Sequence, residues 1–215
     1  RNNISRPFCK ELRMKLYCLP GACSLADHIV LEWIGKPYEI SVVPRDQLKT
    51  GYLKINPNGA VPALEVDGWV LTQNSAILNY LADENPESGL GGDGSAKSRA
   101  EINRWLAFVN ADVHPAFKPL FGTTAYLEDP AMIEKSKDAA RKSLRGLFEK
   151  ANAQLEGRDW LAGTRSIADP YLYVVLRWAQ ALNIDLSGFD NLAAFSKRME
   201  SDPAVGKVLK AEGLA

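Results

Sequence analysis

The sequence has few of the side chains that bind metals or form disulfides. Its 215 residues include three cysteines, with no CxxC pair, and two histidines, His28 and His114. A zinc site needs about four ligands of these types, so we expect no bound metal. No segment is typical of a signal peptide. Few cysteines and no leader favour a reducing compartment, the cytoplasm, where a structural disulfide is not expected.

Charge of one sign and long apolar runs are also missing. Lys+Arg and Asp+Glu both number 26, so the formal net charge is zero. A neutral chain offers no basic surface to nucleic acid or to anionic lipid. The longest apolar run, YLYVVLRWAQAL, is interrupted by Arg177 and is too short to span a bilayer. We therefore expect neither a nucleic-acid partner nor a membrane partner.

Residues 14–91 alternate between strand and helix patterns. Strands are predicted at MKLYCL, YEISVV, VPALEV and WVLT, and Asp67-Gly68 between the last two is a hairpin signal. Helices are predicted at SLADHIVLEWIG and QNSAILNYLADEN. The polar segment between them predicts a short irregular helix and a turn at Asn58-Gly59. This order predicts a mixed α/β sheet with helices packed on it. Residues 1–13, with Cys9, lack such a period and are interpreted as an extension or expression remnant.

Residues 97–215 have a different pattern and are predicted to be entirely helical. They follow a Gly-, Ser- and Pro-rich stretch, PESGLGGDGSAKS, that is typical of a linker. YLYVVLRWAQAL is apolar almost all round, which predicts the buried central helix of this second domain. Shorter helices are predicted at NLAAFSKRMES and PAVGKVLKAEG. Two apolar stripes predict further core-facing helices: Ile102, Trp105, Leu106, Val109 and Val113; and Leu144, Leu147, Phe148, Ala151 and Leu155.

The segment SIADPYL predicts a helix start. Ser166 is a typical N-cap, and Asp169 three residues later can reach back to the amide of the cap. Such a capping box satisfies amides that would otherwise lack partners. We interpret it as folding information rather than chemistry.

Cys18 and Cys23 lie on either side of the Pro20-Gly21 turn. Cys23 begins a helix, where free amides lower the pKa of a thiol, and Ser24 could donate a hydrogen bond to it. Cys18 ends a strand and is more typical of a buried apolar filler. A packing role stays open for Cys23, but its position favours a reactive thiol.

Two further segments could bind a ligand. Val61-Pro62 stands at the entry to a strand, where the peptide bond could be cis or trans. A cis bond would leave the Val61 backbone free to pair with an extended peptide. Gln73, Asn74 and Ser75 begin a helix, which suits either a carboxylate ligand or a plain N-cap.

Taken together, the motifs of residues 14–215 resemble those of the cytosolic glutathione transferases, most closely the bacterial beta class. The resemblance is carried by YCLPGACSLA, INPNGAVPAL, LTQNSAIL, SIADPYL and AEGL, in the order and spacing of that family. It implies a thioredoxin-like, glutathione-binding domain at 14–91 and an all-α domain at 97–215 that contributes the electrophile pocket. It also implies a homodimer and a cis Pro62.

The resemblance assigns roles to individual positions. Cys23 faces the glutathione sulfur and can form a mixed disulfide with it, and His114 approaches the thiol; these two are the expected catalytic residues. Val61 pairs through its backbone with the cysteine of the tripeptide. The full set implied to bind glutathione is Ala22, Cys23, Val61, Pro62, Gln73, Asn74, Ala111, Asp112, Val113 and His114, with Arg45 or Lys49 for the glycine carboxylate.

Two positions depart from the family pattern. Cys18 stands where a tyrosine is usual, and Pro115 stands where a lysine usually follows the histidine. A proline inside a helix predicts a kink.

The resemblance implies conjugation of glutathione to an apolar electrophile, with thiol-disulfide exchange through Cys23 as a second reaction. The alternative is a non-catalytic protein of the same fold that binds ligands or mediates assembly.

Overall fold

The structure is a computed structural model, and it describes residues 13–215. Cys9 and nearly all of the predicted extension therefore lie outside the described residues. The described chain has an α/β half followed by a helical half, as the sequence patterns predict.

Four strands form one mixed sheet. They are β1 (Met14–Cys18), β2 (Glu39–Val42), β3 (Ala63–Val66) and β4 (Trp69–Thr72), in the order β2-β1-β3-β4. β1 pairs parallel with β2 and antiparallel with β3, and β3 pairs antiparallel with β4. Asp67 and Gly68 have φ angles of 48° and 89°. Positive angles at both positions give the turn that matches strand twist, so the predicted hairpin is confirmed.

The sheet is covered by α1 (Ser24–Ile34) and α2 (Asn74–Glu84). The predicted irregular segment between β2 and β3 contains two short 3-10 turns, Arg45–Gln47 and Gly51–Lys54. Gly59 then closes the turn with a φ of 58°, and a Cβ there would lie 2.5 Å from the Leu48 carbonyl oxygen. Only glycine fits that position.

The second half is helical throughout. Its helices are α3 (Ala96–Ala107), a π-helix (Phe108–Val113), α4 (His114–Ala116), α5 (Pro130–Gln154), α6 (Ala168–Ala181), α7 (Asp190–Glu200) and α8 (Pro203–Ala211). Most of α6 is buried, so the predicted central helix is confirmed. Both predicted stripes face the core, with Leu147 only partly buried. The irregularity predicted at Pro115 takes the form of the π-helix just before it.

The capping box is confirmed. The Asp169 carboxylate accepts hydrogen bonds from the Ser166 amide at 2.8 Å, the Ser166 hydroxyl at 3.1 Å and the Leu161 amide at 3.0 Å. The Ser166 hydroxyl oxygen accepts from the Ala168 amide at 3.3 Å. The box therefore fixes the start of α6 and ties it to the loop before it.

The two halves share one core, and the C-terminal segment fixes the turn before α1. Helix α1 packs on α6 and α8. The Trp178 indole donates to the Gly21 carbonyl at 2.7 Å, and the Gly21 amide donates to Glu212 at 3.0 Å. The other Glu212 oxygen lies 2.8 Å from His28 Nδ1 in a buried pair. The turn that leads into Cys23 is thus held by side chains about 160–190 residues away.

Candidate functional site

A cleft of about 250 Å³ lies between the two halves of the protein. The α/β half lines it with the start of α1, the loop before β3 and the start of α2. The helical half lines it with Asn110 in the middle of the π-helix, residues that follow the π-helix, and Tyr171 of α6. Its walls include Cys23, Asn56, Asn58, Ala60, Val61, Pro62, Gln73 and Asn74 on one side, and Asn110, His114, Pro115, Lys118 and Tyr171 on the other.

Cys23 lies in this cleft, whereas Cys18 does not. Both thiols are free; Cys18 is fully buried, as predicted for a filler, and Cys23 is half-buried. The Cys23 thiol donates to the Val61 carbonyl oxygen at an Sγ–O distance of 3.5 Å. The Ser24 hydroxyl does not donate a hydrogen bond to Cys23. It is buried, donates to the Leu19 carbonyl and accepts from the Leu19 amide.

The surroundings of Cys23 keep its thiol neutral. Burial, followed by the nearby Asp27 carboxyl, raises its pKa to about 12. The Asn74 side chain and the amides of Cys23 and Ser24 lower this pKa, but they do not outweigh the burial. The prediction that the helix start depresses the pKa of Cys23 is therefore wrong. Hydrogen bonds from helix amides stabilise the thiolate and lower the pKa. Loss of water around the buried sulfur destabilises the thiolate more, so the pKa rises.

The Val61-Pro62 peptide bond is cis, as the resemblance implies. Within residues 13–215 the Val61 amide has no hydrogen-bond acceptor. Val61 lies just before β3 and lines the cleft. This amide is free to pair with an extended peptide.

The start of α2 adds free amides and a constrained backbone. Gln73 has a φ of 75°, which is rare for a residue other than glycine and is found at ligand-binding positions. Asn74 Nδ2 donates to the Cys23 carbonyl at 2.9 Å, so the side chain links the starts of α1 and α2 rather than capping its own helix. Asn74 Oδ1 is buried and has no partner among the described residues. The first-turn amides and the positive helix end favour a carboxylate here.

His114 belongs to a hydrogen-bonded aromatic group in the helical half. Its Nδ1 lies 2.6 Å from the Tyr171 hydroxyl, which also donates to Asn110 Oδ1 at 3.3 Å. The imidazole meets the Trp178 ring edge-on, with 4.8 Å between ring centroids. Burial and then the Lys118 charge lower the pKa of His114. The imidazole is therefore neutral at pH 7 and is held in one orientation.

Several residues implied to bind glutathione lie away from the cleft. In the π-helix, Val113 points into the core, while Ala111 and Asp112 are exposed. The wider turn of a π-helix brings Asn110 and His114 to the cleft instead.

On the other side, Ala22 belongs to the turn before α1, where its amide donates to the Leu19 carbonyl. Arg45 is exposed on a 3-10 turn. The Lys49 ammonium donates to the Asn58 carbonyl at 2.9 Å, so it contacts a cleft residue without lining the cleft.

The sequence reasoning missed Asn110, Lys118 and Tyr171. Lys118 follows His114 by four residues, a helical spacing that could have indicated a shared face. It brings a cation to the cleft that Pro115 cannot supply. Tyr171 begins an apolar run and gave no signal other than burial.

Across the described residues, no group of three His, Cys, Asp or Glu side chains is arranged to hold a metal ion. None of the helices in that part of the chain has the length and apolar character needed to cross a membrane.

Comparisons with known proteins agree with this geometry. Residues 22–84 match the glutathione S-transferase N-terminal domain, and residues 101–203 match the glutathione S-transferase C-terminal domain. The chain belongs to the glutathione S-transferase family. It is 60% identical over 203 residues to glutathione S-transferase GST-4.5 of Xanthomonas campestris, an alignment that covers 94% of this chain and all of that protein.

Solved structures of this family have the same fold. A glutathione-S-transferase from Xylella fastidiosa superposes with a TM-score of 0.92 at 57% identity, over 94% of this chain and all of that one. A sphingomonad glutathione S-transferase, solved in complex with glutathione, superposes with a TM-score of 0.83 at 41% identity, over 94% and 100% of the two chains. The thioredoxin-like half and the helical half therefore form the glutathione transferase fold.

Proposed function

We propose that the protein is a beta-class-like transferase that joins the thiol of glutathione to apolar electrophiles. The observation that carries this proposal is the juxtaposition of three features in one cleft: the free Val61 amide, the amides that begin α2, and the Cys23 sulfur. Glutathione presents a peptide backbone, a γ-glutamyl carboxylate and a thiol. Family membership and the glutathione complex of a relative 41% identical support the same ligand.

In the proposed pose, the tripeptide lies along the segment that leads into β3. Its cysteine pairs with the Val61 backbone as an added strand. Its γ-glutamyl carboxylate takes the amides at Gln73 and Asn74, and the unpartnered Asn74 Oδ1 accepts from the glutamyl ammonium group. The Asn74 Oδ1 acceptor favours this orientation over its reverse, because only the γ-glutamyl end carries an ammonium group beside its carboxylate.

The sulfur of the bound tripeptide then faces Cys23. A neutral Cys23 thiol is a hydrogen-bond donor, and it stabilises a thiolate on glutathione better than a second thiolate would. The Lys118 ammonium at the same cleft adds positive charge. A free thiol has a pKa of ~8.5, and each unit of depression is equivalent to about 1.4 kcal/mol. Cys23 and Lys118 thus favour the nucleophilic form of glutathione, while the neutral His114 orients the site.

The electrophile lies on the helical side of the cleft. The Phe121 and Trp178 rings meet edge-on at 5.3 Å between centroids, and Trp178 also contacts His114. Phe121 is half exposed, so this aromatic group offers an apolar surface next to His114. Such a surface suits flat aromatic electrophiles.

Thiol-disulfide exchange is a second proposed reaction. A Cys23 thiolate attacks one sulfur of oxidised glutathione, forms a mixed disulfide, and releases the other glutathione as a thiolate that takes up a proton. Because burial keeps Cys23 as a neutral thiol, this reaction accelerates as the pH rises.

Turnover of a chloronitrobenzene with glutathione tests conjugation. We expect retention on a glutathione resin together with turnover, measured by absorbance of the conjugate. Retention without turnover would support the non-catalytic binder instead, and failure of both would contradict the proposed function.

We also propose that two copies associate as a homodimer in the cytoplasm. Trp69 and Val42 are each 52% exposed, so the protein presents apolar side chains that a second copy could cover. Zero net charge removes long-range repulsion between copies. Sedimentation at micromolar concentration should give the mass of a dimer. A single monomer species under these conditions would contradict this.

A further inference from the structure

Asp27 is a buried acid without a partner. Its side chain is fully buried in α1, and neither carboxyl oxygen has a hydrogen-bond partner among the described residues. The other buried acids differ, because Asp169 accepts three hydrogen bonds and Glu212 is bonded to His28 and Gly21. An unpaired carboxylate away from water is strongly disfavoured. Burial, and then the Glu212 charge, raise the pKa of Asp27 well above its usual range.

The position of Asp27 links it to Cys23. The two residues are four apart at the start of α1, so their side chains lie on one face of the helix about 5–6 Å apart at Cβ. The other titratable groups that face Asp27 are Cys18 on β1, Tyr171 on α6 and Glu212 after α8. Next to Asp27, His28 is engaged by Glu212. Within residues 13–215 no lysine or arginine pairs with Asp27.

The surroundings of Asp27 and Cys23 can therefore hold one negative charge more readily than two. A charge on either group opposes a charge on the other, and the effect is strong because little water screens it. Two such coupled acids lose their protons in sequence rather than independently.

We propose that Asp27 is a positioning residue that controls the ionisation of Cys23. While Asp27 keeps its proton, a Cys23 thiolate can form; once Asp27 ionises, the thiolate is suppressed and Cys23 remains a hydrogen-bond donor. The carboxyl thereby biases Cys23 towards supporting the glutathione thiolate and away from acting as the nucleophile itself. The effect of Asp27 on the ionisation of Cys23 does not depend on which reaction the protein catalyses. Its consequence for the glutathione thiolate rests on the proposed function.

The test is the pH dependence of Cys23 alkylation by iodoacetamide, followed by mass spectrometry of the Cys23 peptide. The thiolate displaces iodide, a C–S bond forms, and the thiol proton passes to buffer. Asp27→Asn keeps the shape of the side chain and removes its charge. At pH values where the wild-type Asp27 is ionised, we expect the variant to react at least about tenfold faster, because its rate profile moves to lower pH by a unit or more. A profile that superposes on the wild type overturns the proposal.

A matched control lies farther along the same helix. Glu32→Gln also removes a carboxylate from α1, but Glu32 is bonded to Lys207 and Tyr38 rather than directed at Cys23. Its profile should match the wild type, and an equal shift in both variants would contradict the assignment to Asp27.

A second measurement does not depend on the folding of an Asp27 variant. Carboxyl NMR of the wild type, compared with its own alkylation profile, should show Asp27 losing its proton at a lower pH than Cys23, because coupled acids ionise in sequence. A Cys23 thiol that ionises at a lower pH than Asp27 overturns the proposal. Neither measurement uses glutathione, so failure here is distinct from failure of the proposed conjugation.

Discussion

Replacing Asp169 with alanine is expected to lower the free energy of unfolding by about 2–6 kcal/mol. The carboxylate is the acceptor for the amides of Ser166 and Leu161, and all three groups are buried. Each buried donor left without an acceptor costs about 1–3 kcal/mol. Urea unfolding, followed by circular dichroism, measures the loss.

Asp129→Ala is the matched control for this prediction. Asp129 also accepts from two amides, those of Ala131 and Met132 at the start of α5, but its surroundings are exposed. Water can replace it there, so its loss should cost only about 1 kcal/mol. Equal losses for the two variants would contradict the importance of burial at Asp169.

The penalty for Asp169→Ala should also depend on pH. Burial raises the pKa of Asp169 to about 7, whereas in the unfolded chain it is ~3.9. Between these values the folded state holds a proton that the unfolded state has lost, so the contribution of Asp169 to stability is greatest below about pH 4 and falls as the pH rises towards 7. The penalty should therefore be larger at pH 5 than at pH 8. A penalty that grows with pH would show that the carboxyl is not held neutral by burial.

Replacing Cys23 with alanine is expected to abolish the mixed disulfide with glutathione. In the wild type, oxidised glutathione should add one tripeptide to Cys23 and none to Cys18, because Cys23 lines the cleft whereas Cys18 is fully buried. The rate at Cys23 should rise about tenfold per pH unit above pH 7, since only the thiolate attacks and its fraction grows in that proportion below the pKa. Mass spectrometry of separated peptides distinguishes both sites from Cys9.

Cys18→Ala serves as the control for Cys23→Ala. It should keep the adduct on Cys23, and Cys23→Ala should still bind glutathione, because the tripeptide is held mainly by the Val61 backbone and the start of α2. An adduct on Cys18, or an internal bond between Cys18 and Cys23, would reverse the roles assigned to them.

Local signals explain most of what the sequence predicted. The Asp67-Gly68 hairpin, the Ser166–Asp169 capping box and the buried helix α6 each depend on residues within about a dozen positions of one another. No single motif predicted that Cys23, Val61 and Asn74 form one site. That prediction came from the order and spacing of several motifs, which resemble those of the family. The structure brings these three residues into one cleft.

The features that were missed depend on distant parts of the chain. The pKa of Cys23 is raised by burial and by the unpaired Asp27 carboxyl. The sequence near Cys23 predicts neither the burial of its sulfur nor the lack of a partner for Asp27. Glu212 reaches His28 across 184 residues of sequence. The π-helix turns Asn110 rather than Ala111 or Asp112 towards the cleft, and its extra residue per turn has no clear sequence signal. Local propensity cannot supply these tertiary effects.

The decisive experiment is a crystal structure of the protein with glutathione bound. We expect the glutathione sulfur within hydrogen-bonding distance of Cys23 Sγ, the cysteine backbone of the tripeptide paired with Val61, and the γ-glutamyl carboxylate on the first-turn amides of α2. A tripeptide bound outside this cleft, or bound in reverse with its glycine carboxylate at Gln73 and Asn74, would contradict the proposed pose.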